Sequence, residues 1–171
     1  MEPVRVAVAV SSGSIGTQTL DVVRAEGADR YRVVALGVGS SVDVLIDQAR
    51  EFRPEVVAVA DALLRPRVVE ALAGLDIDVV AELADLVGPA DVVINGVVGF
   101  AGLPITIESL RAGKRLGLAN KESLIAAGPV VQPLRATPGA ELVPVDSEHC
   151  AVHQCLRSGT HGEISRIVLT A

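Results

Sequence analysis

The chain has 171 residues, half of them hydrophobic, and a formal net charge of −6. This length suits one domain, or one domain and part of a second. No basic stretch is long enough to bind along a nucleic-acid backbone, and no apolar run reaches the length of a membrane span. We therefore expect neither nucleic acid nor a membrane as a partner. The start MEPVRVAVAV does not resemble a signal peptide, and two cysteines do not form a disulfide framework, which favours a cytoplasmic location.

Strand-like and helical patterns alternate along the chain. The predicted elements are, in order, strand 4–10, helix 15–26, strand 31–38, helix 42–52, strand 56–60, helix 66–73, strands 77–80 and 91–95, helix 104–112, strand 115–118, helix 121–127, strand 142–145 and helix 149–157. Gly113 and Gly128 should end the helices before them. With 2% aromatic residues, the core must consist of Val, Leu, Ile and Ala, which suits a buried parallel sheet. The alternation predicts an α/β fold of right-handed βαβ units.

A glycine-containing turn follows the first predicted strand. The segment SSGSIGT, residues 11–17, joins that strand to a helix and contains Gly13 and Gly16. Small residues let the backbone approach a pyrophosphate, and the helix N-terminus offers free N–H groups. The spacing departs from G-x-G-x-x-G, so a tight turn without a ligand remains the alternative to a dinucleotide site.

The end of the second predicted strand bears on the type of dinucleotide. NAD-selective folds usually place an Asp or Glu there to hold the ribose 2′-hydroxyl. Here the segment GVGSSV, residues 37–42, contains no acid and offers Gly39, Ser40 and Ser41 instead. This favours NADP, although the segment also lacks an Arg or Lys for the additional phosphate.

A lysine stands where a helix begins. The segment LANKES, residues 118–123, follows a strand, and Asn120 is a suitable N-cap for the next helix. Lys121 then lies in the first turn, where a cation opposes the helix dipole. It is either a surface lysine or a group aimed at an anionic or carbonyl substrate at the carboxyl edge of the sheet, where open α/β sheets bind ligands.

Two acids follow the last predicted strand. In LVPVDSEHC, residues 142–150, Asp146 and Glu148 point the same way if the stretch is extended. Adjacent carboxylates repel unless a cation lies between them, and their oxygens suit Mg²⁺ or Mn²⁺. The alternative is that these acids form the N-cap and first turn of the helix 149–157.

A zinc site is the rival metal hypothesis. His149, Cys150, His153 and Cys155 lie close together, and the two histidines have a spacing that can hold Zn²⁺ on a helix. No CxxC or HExxH accompanies them. The two cysteines are therefore expected to be small core residues.

Four segments together resemble one enzyme family. SGSIGTQTLDVV, NGVVGFAGL, AGKRLGLANKESL and VPVDSEHCAVHQCL are similar to 1-deoxy-D-xylulose 5-phosphate reductoisomerase of the methylerythritol phosphate pathway, and the similarity extends over residues 4–171. The resemblance implies a Rossmann-like, doubly wound NADPH-binding domain in residues 1–136 and the start of an α+β catalytic domain in residues 137–171. It also implies a homodimer that uses NADPH and Mn²⁺ or Mg²⁺ to convert this phosphorylated sugar to 2-C-methyl-D-erythritol 4-phosphate.

The resemblance assigns roles to individual residues. Asp146 and Glu148 would bind the metal. Lys121, Ser147 and Glu148 would contact the substrate, with Lys121 and Glu148 catalytic. The residues implied to bind NADPH are Ser12, Gly13, Ser14 and Ile15 at the glycine turn, Gly39, Ser40 and Ser41 at the 2′-phosphate, and Asn120 and Glu122 near the nicotinamide.

The chain departs from the family pattern at several positions. Val10 stands where the family has glycine, and its side chain is expected to crowd the dinucleotide. Ser40 and Ser41 replace a basic residue and Asn, and His153 replaces an aromatic residue. These changes keep two alternatives open: a non-catalytic nucleotide-binding paralogue and a different NAD(P)-dependent dehydrogenase.

The last residues, IVLTA, resemble the start of the family segment LTASGGPF. The third acidic metal ligand, the phosphate-binding residues and the active-site lid would then lie beyond Ala171. We expect a truncated chain rather than a naturally short paralogue, without activity of its own. We also expect self-association through the exposed seam.

Overall fold

A computed structural model describes residues 2–168. The last residues of the IVLTA motif and the outermost residues of both predicted domains lie outside this range. The described chain forms a seven-stranded parallel sheet with the strand order β4-β3-β2-β1-β5-β6-β7. The strands are β1 Val4–Val8, β2 Tyr31–Val38, β3 Val56–Val59, β4 Asp78–Val80, β5 Val92–Asn95, β6 Arg115–Leu118 and β7 Glu141–Pro144. The predicted α/β class with a doubly wound parallel sheet is confirmed.

Within residues 2–168, six α-helices connect or follow these strands. They are α1 Ser14–Glu26, α2 Val42–Phe52, α3 Arg65–Ala71, α4 Leu103–Arg111, α5 Glu122–Leu134 and α6 Ser147–Arg157. Short 3₁₀ segments lie at Leu83–Val87, Gly99–Gly102 and His161–Glu163. None of the helices in residues 2–168 is both long enough and apolar enough to cross a membrane.

The sheet is buried on both faces. Because successive residues of a strand point to opposite sides, Val6 and Val8 of β1 pack with α1, α2 and α3, while Ala7 and Ala9 face α4 and α5. Leu20 and Leu116 are fully buried examples on the two sides. Each such leucine contributes roughly 2 kcal/mol of burial free energy. The aliphatic composition thus builds two cores around a rigid sheet, and the loops at its edge can carry function.

Two predicted helix ends had different outcomes. Gly113 ends α4 as predicted, with a φ of 66° and a hydrogen bond from the Lys114 amide to the Ser109 carbonyl. The prediction that Gly128 ends the following helix was wrong, because α5 continues to Leu134. Ala127 has the non-helical angles φ −114° and ψ 20°, so the helix kinks there instead of stopping. Burial of Val131 in the core favours the continuation.

The last strand, β7, forms one edge of the sheet, and α6 follows it. β7 pairs in parallel with β6, with Leu118 opposite Pro144. None of the residues 147–157 of α6 is buried. Cys155 is exposed and Cys150 is half-buried, so the prediction that both are core residues was wrong. The helix predicted over 149–157 is present but begins at Ser147, and within the described chain none of its apolar side chains is fully covered.

Candidate active site at the carboxyl edge of the sheet

All the predicted functional segments follow strands at the same edge of the sheet. The glycine turn follows β1, residues 39–41 follow β2, residues 120–122 follow β6, and residues 146–148 follow β7. Parallel strands all end on one side, and β1 is also the point from which the strand order runs in both directions. Open α/β sheets bind ligands at this position. The fold therefore brings segments far apart in sequence to one surface.

The glycine turn has the tight backbone that a dinucleotide site needs. A Cβ on Gly16 would lie 2.0 Å from the Val10 carbonyl oxygen, so only glycine fits there. Gly13 is the N-cap of α1 and no side chain caps that helix. The first N–H groups of α1 therefore have no partner within the helix. Ser12 and Ile15 are half-buried and Ser14 is exposed, which leaves this helix end open to a ligand.

A buried glutamine that sequence reasoning missed supports the turn. Gln48 of α2 donates from Nε2 to the Ser11 carbonyl at 3.1 Å. The Ser11 amide in turn donates to the Gly37 carbonyl at 2.8 Å. The side chain of Gln48 is 8% exposed, and no atom of the described chain bonds its Oε1. The sequence feature that could have identified Gln48 is its position as a polar residue on the apolar face of α2, between Leu45 and Ala49.

The loop after β2 is open. Gly39, Ser40 and Ser41 are all exposed, and no atom lies within 4 Å of the position of a Cβ on Gly39. The Gly39 carbonyl accepts a hydrogen bond from the Asp61 amide at 3.1 Å. Ser41 is the N-cap of α2, but its hydroxyl makes no capping bond. The hydroxyl and amide groups of this loop can therefore face a ligand, as predicted for the 2′-phosphate.

Two asparagines organise the loops after β5 and β6. Asn120 is buried, donates to the Val97 carbonyl at 2.6 Å and accepts from the Ser123 amide at 3.3 Å. The last bond lies just before α5, whose N-cap is Lys121 and whose first residue is Glu122, so the prediction that Asn120 is the N-cap and Lys121 lies in the first turn was wrong by one position. Asn95, which sequence reasoning did not select, donates to the Gly102 carbonyl at 2.8 Å. The sequence feature that could have identified Asn95 is its position as a polar amide at the end of the apolar strand DVVIN. Both asparagines hold backbone, and the neighbouring Glu122 is exposed.

Lys121 and Glu148 come together at this edge. Lys121 Nζ lies 3.9 Å from Glu148 Oε2, and the two side chains are 47% and 63% exposed. The pKa of Glu148 is lowered by a hydrogen bond from its own amide, by the Ser147 hydroxyl and by the charge of Lys121. The carboxylate is therefore ionised at neutral pH. The site presents a cation and an anion side by side, both accessible to a polar substrate.

Asp146 caps α6. Its Oδ1 accepts a hydrogen bond from the His149 amide at 2.9 Å and lies 2.7 Å from His149 Nδ1. Partial burial alone would raise the pKa of Asp146, but the two contacts with His149 and the charge of Lys121 outweigh it and lower the pKa. The capping role proposed as the alternative is thus present. It does not exclude metal binding, since both contacts use the same oxygen.

The donor set matches the predicted metal only in part. Asp146 and Glu148 offer the oxygen ligands that Mg²⁺ and Mn²⁺ prefer, but two carboxylates supply less than the six or more oxygens such ions need. Within residues 2–168, His161's side chain excepted, no group of three or more His, Cys, Asp or Glu side chains could hold a metal. The zinc site of His149, Cys150, His153 and Cys155 is therefore not formed in the described chain.

A cleft extends the site away from the sheet. It has a volume of about 730 Å³ and lies between α6 and residues 158–168. Ser147 and Glu148 are among its lining residues, together with the apolar Val152, Leu156 and Ile164. Two of the three predicted substrate-contact residues thus line a concave surface, and Lys121 does not line it.

Family models place the chain among known proteins. The model for 1-deoxy-D-xylulose 5-phosphate reductoisomerase matches residues 6–128, and the model for the C-terminal domain of that enzyme matches residues 142–171. The chain belongs to the 1-deoxy-D-xylulose 5-phosphate reductoisomerase family. The two matches lie on either side of the predicted domain boundary after residue 136, and the boundary itself stays a prediction.

Individual relatives cover 94–99% of the chain, but the chain covers less than half of each relative. The reductoisomerase of Thermosynechococcus vestitus is 49% identical over 168 residues, which is 94% of this chain and 40% of the relative. The chloroplastic reductoisomerase of Mentha piperita is 44% identical over 177 residues, or 99% of this chain and 37% of the relative. This chain thus spans about two fifths of the length of the curated relatives it matches.

Solved structures of the family have the same fold. The reductoisomerase of Zymomonas mobilis in complex with NADPH is 37% identical, has a TM-score of 0.86, and aligns with 95% of this chain and 43% of its own. A reductoisomerase in complex with NADPH, fosmidomycin and magnesium is also 37% identical, with a TM-score of 0.84 over 90% of this chain and 39% of its own. The likeness in fold therefore extends over at least nine tenths of this chain.

Proposed function

We propose that this protein is a 1-deoxy-D-xylulose 5-phosphate reductoisomerase that uses NADPH and Mg²⁺ or Mn²⁺ to form 2-C-methyl-D-erythritol 4-phosphate. The observation that carries the proposal is the proximity of Lys121 and Glu148, 3.9 Å apart, at the sheet edge that also carries the glycine turn. A module that only binds a nucleotide has no need of this pair. The ligands named for the solved relatives, NADPH and magnesium, support the same assignment.

Each part of the site has a role in this reaction. The open N-terminus of α1, with Ser12, Gly13, Ser14 and Ile15, binds the pyrophosphate of NADPH. Gly39, Ser40 and Ser41 bind its 2′-phosphate. Asn120 and Glu122 lie toward the nicotinamide, where Asn120 acts by fixing the backbone of the loops.

The substrate side depends on charge. Asp146 and Glu148 hold the metal, and Ser147 and Lys121 donate hydrogen bonds to substrate oxygens. When bound, the metal supplies polarisation of the ketone and hydroxyl, and NADPH supplies hydride. Lys121 stabilises negative charge on those oxygens while Glu148 stays ionised beside it. Lys121 and Glu148 are the proposed catalytic residues.

The remaining assignments belong to the same proposal. Residues 1–136 form the NADPH-binding domain and residues 137–171 begin the catalytic domain, which the ranges of the two family matches support. The cytoplasmic location and the homodimer stay predictions. One specific observation favours the alternative of a non-catalytic paralogue: Val10 Cγ1 would lie 3.2 Å from a Cβ on Gly13, so its side chain occupies the turn.

Binding and turnover should be measured side by side. We expect NADPH to bind the purified 171-residue chain, detected by nicotinamide fluorescence, without substrate-dependent NADPH oxidation. A fusion that continues this chain with the corresponding C-terminal part of the Thermosynechococcus vestitus relative should oxidise NADPH when given 1-deoxy-D-xylulose 5-phosphate and Mn²⁺. A fusion that binds NADPH but shows no turnover would favour the non-catalytic paralogue. Turnover by the 171-residue chain itself would contradict the expectation that this chain alone is inactive, and loss of that turnover in Glu148→Gln would show that the residues assigned here suffice for the reaction.

A further inference from the structure

The loop proposed to bind the 2′-phosphate contains no positive charge of its own. Residues 37–42, GVGSSV, include neither Arg nor Lys. A phosphate carries up to two negative charges and in proteins is commonly met by a guanidinium in bidentate geometry. A preference for NADPH over NADH therefore requires a cation from another element.

The structure brings such a cation to the start of α2. Arg67, on α3, forms an ion pair with Asp43, using both terminal nitrogens. The separation between Arg67 Nη1 and Asp43 Oδ2 is 3.3 Å. Asp43 is the second residue of α2 and stands two positions after Ser41, the N-cap of that helix. The guanidinium of Arg67 thus lies beside the helix end that the Gly39–Ser41 loop leads into.

The ion pair is accessible and easily exchanged. The side chains of Arg67 and Asp43 are 56% and 74% exposed. An exposed pair of this kind contributes little to stability, at most about 1 kcal/mol, so a dianionic phosphate can replace the carboxylate at small cost. Arg67 can turn its guanidinium from Asp43 to a ligand without disturbing the core.

The other charged groups near the loop are less suited to this role. Arg65 is engaged with backbone, since its Nη2 donates to the Ala81 carbonyl at 2.8 Å. Asp61, whose amide holds the Gly39 carbonyl, carries a negative charge that would repel a phosphate. With Asp43 and Asp61 both nearby, the loop attracts an anion only if Arg67 takes part.

We propose that Arg67 binds the 2′-phosphate of NADPH together with Ser40 and Ser41, and is the residue that makes this site prefer NADPH over NADH. The inference rests on the proposed function, because it names a determinant within the proposed cofactor site. Arg67 supplies the charge from α3, while the serine hydroxyls and the N-terminus of α2 supply neutral donors. A side chain from a neighbouring helix thus replaces the basic residue that the loop lacks.

The test compares NADPH and NADH binding to the wild-type chain and to Arg67→Gln. Reduced-nicotinamide fluorescence gives both dissociation constants. We expect Arg67→Gln to weaken NADPH binding by about tenfold or more, as for loss of a charge-assisted hydrogen bond, and to change NADH binding by less than about twofold. Arg67→Lys should retain part of the preference. Arg24→Gln is the matched control, because Arg24 is an exposed arginine in an ion pair with Glu51, away from this loop.

The outcomes separate this inference from the proposed function. Equal affinity of the wild-type chain for NADPH and NADH would overturn the role of Arg67, and so would an Arg67→Gln variant that loses both cofactors alike or loses neither. In each of those cases the wild-type chain still binds a dinucleotide, so the proposed function stands. Failure of the wild-type chain to bind either dinucleotide would instead contradict the proposed function, and the inference with it.

Discussion

The ammonium group of Lys121 lies 3.9 Å from the carboxylate of Glu148, across the ends of two neighbouring strands. The pairing of β6 with β7 creates this contact, because it aligns Leu118 with Pro144 and so places the starts of α5 and α6 side by side. Both side chains are substantially exposed, and such pairs add little to stability. The contact therefore contributes little to folding, which is consistent with the proposed role of both side chains in substrate binding.

Replacement of Lys121 should remove activity without unfolding the protein. The chain has two lysines, and the other, Lys114, lies just before β6 at the opposite edge of the sheet. In the fusion described above, we expect Lys121→Ala to lower substrate-dependent NADPH oxidation by roughly a hundredfold or more, as for loss of a donor to developing negative charge. Lys114→Ala should keep wild-type turnover. Similar rates for the two variants would remove Lys121 from the mechanism.

Metal binding to the chain should be weak and should depend on the charge of Asp146. Two carboxylates leave most of the coordination shell to water, so we expect roughly millimolar binding of Mn²⁺. Asp146→Asn should abolish it, and because Asn caps helices about as well as Asp, α6 should persist in circular dichroism. Calorimetry measures the affinity. Tight binding that survives Asp146→Asn would contradict the assignment, and tight Zn²⁺ binding that is lost in His149→Ala would restore the zinc hypothesis.

The elements were largely predictable because local patterns determine them. β2, α2 and β6 have the predicted bounds, since each combines a clear apolar period with a turn residue at its end. The end of α5 was not predicted correctly. Gly128 and Pro129 suggest a helix end, whereas burial of Val131 in the core favours continuation of the helix to Leu134. Propensity gave the wrong answer where packing decided the outcome.

Only the site residues that belong to a recognisable sequence motif could be predicted. Lys121 and Glu148 were selected from their segments, but their separation depends on strand order, which no local pattern contains. Gln48 and Arg67 contact Ser11 and Asp43 of other elements. Gln48 is marked in its own segment only as a polar residue on the apolar face of α2, and nothing in its segment marks Arg67.

Stability should depend on pH through Glu141. The hydrogen bond from Arg115 Nε, at 2.6 Å, lowers the pKa of Glu141; burial opposes it, and the charges of Arg115 and Arg157 add to the lowering. The pKa of Glu141 in the folded state is thus below its value in the unfolded chain, which is about 4.3. The stabilisation is therefore present above about pH 4.3 and is lost as the pH falls through the folded-state pKa. The interaction joins β6, β7 and the end of α6.

We therefore expect Glu141→Gln to reduce stability at pH 7 by at most about 1 kcal/mol, or about 2–4 °C in Tm. The difference from wild type should shrink as the pH drops below about 4. Thermal unfolding followed by circular dichroism across this range measures it. Glu108→Gln is the control, since Glu108 is exposed on α4 and forms no ion pair within residues 2–168. A difference that stays constant with pH would show that lost packing, not lost charge, is responsible.

Val10 should set a limit on cofactor affinity. Its side chain is half-buried and packs against the core, and its Cγ1 lies 3.2 Å from the position of a Cβ on Gly13, the N-cap of α1. We expect Val10→Ala and Val10→Gly to bind NADPH progressively more tightly in fluorescence titrations, because removal of the methyl groups leaves more room at the helix end.

Both substitutions should also lower stability, Val10→Gly by about 1–3 kcal/mol through lost packing and added backbone freedom. Val22→Ala, an exposed valine on α1, should change neither quantity appreciably. Lower stability with unchanged NADPH affinity would show that Val10 only packs the core and does not crowd the dinucleotide.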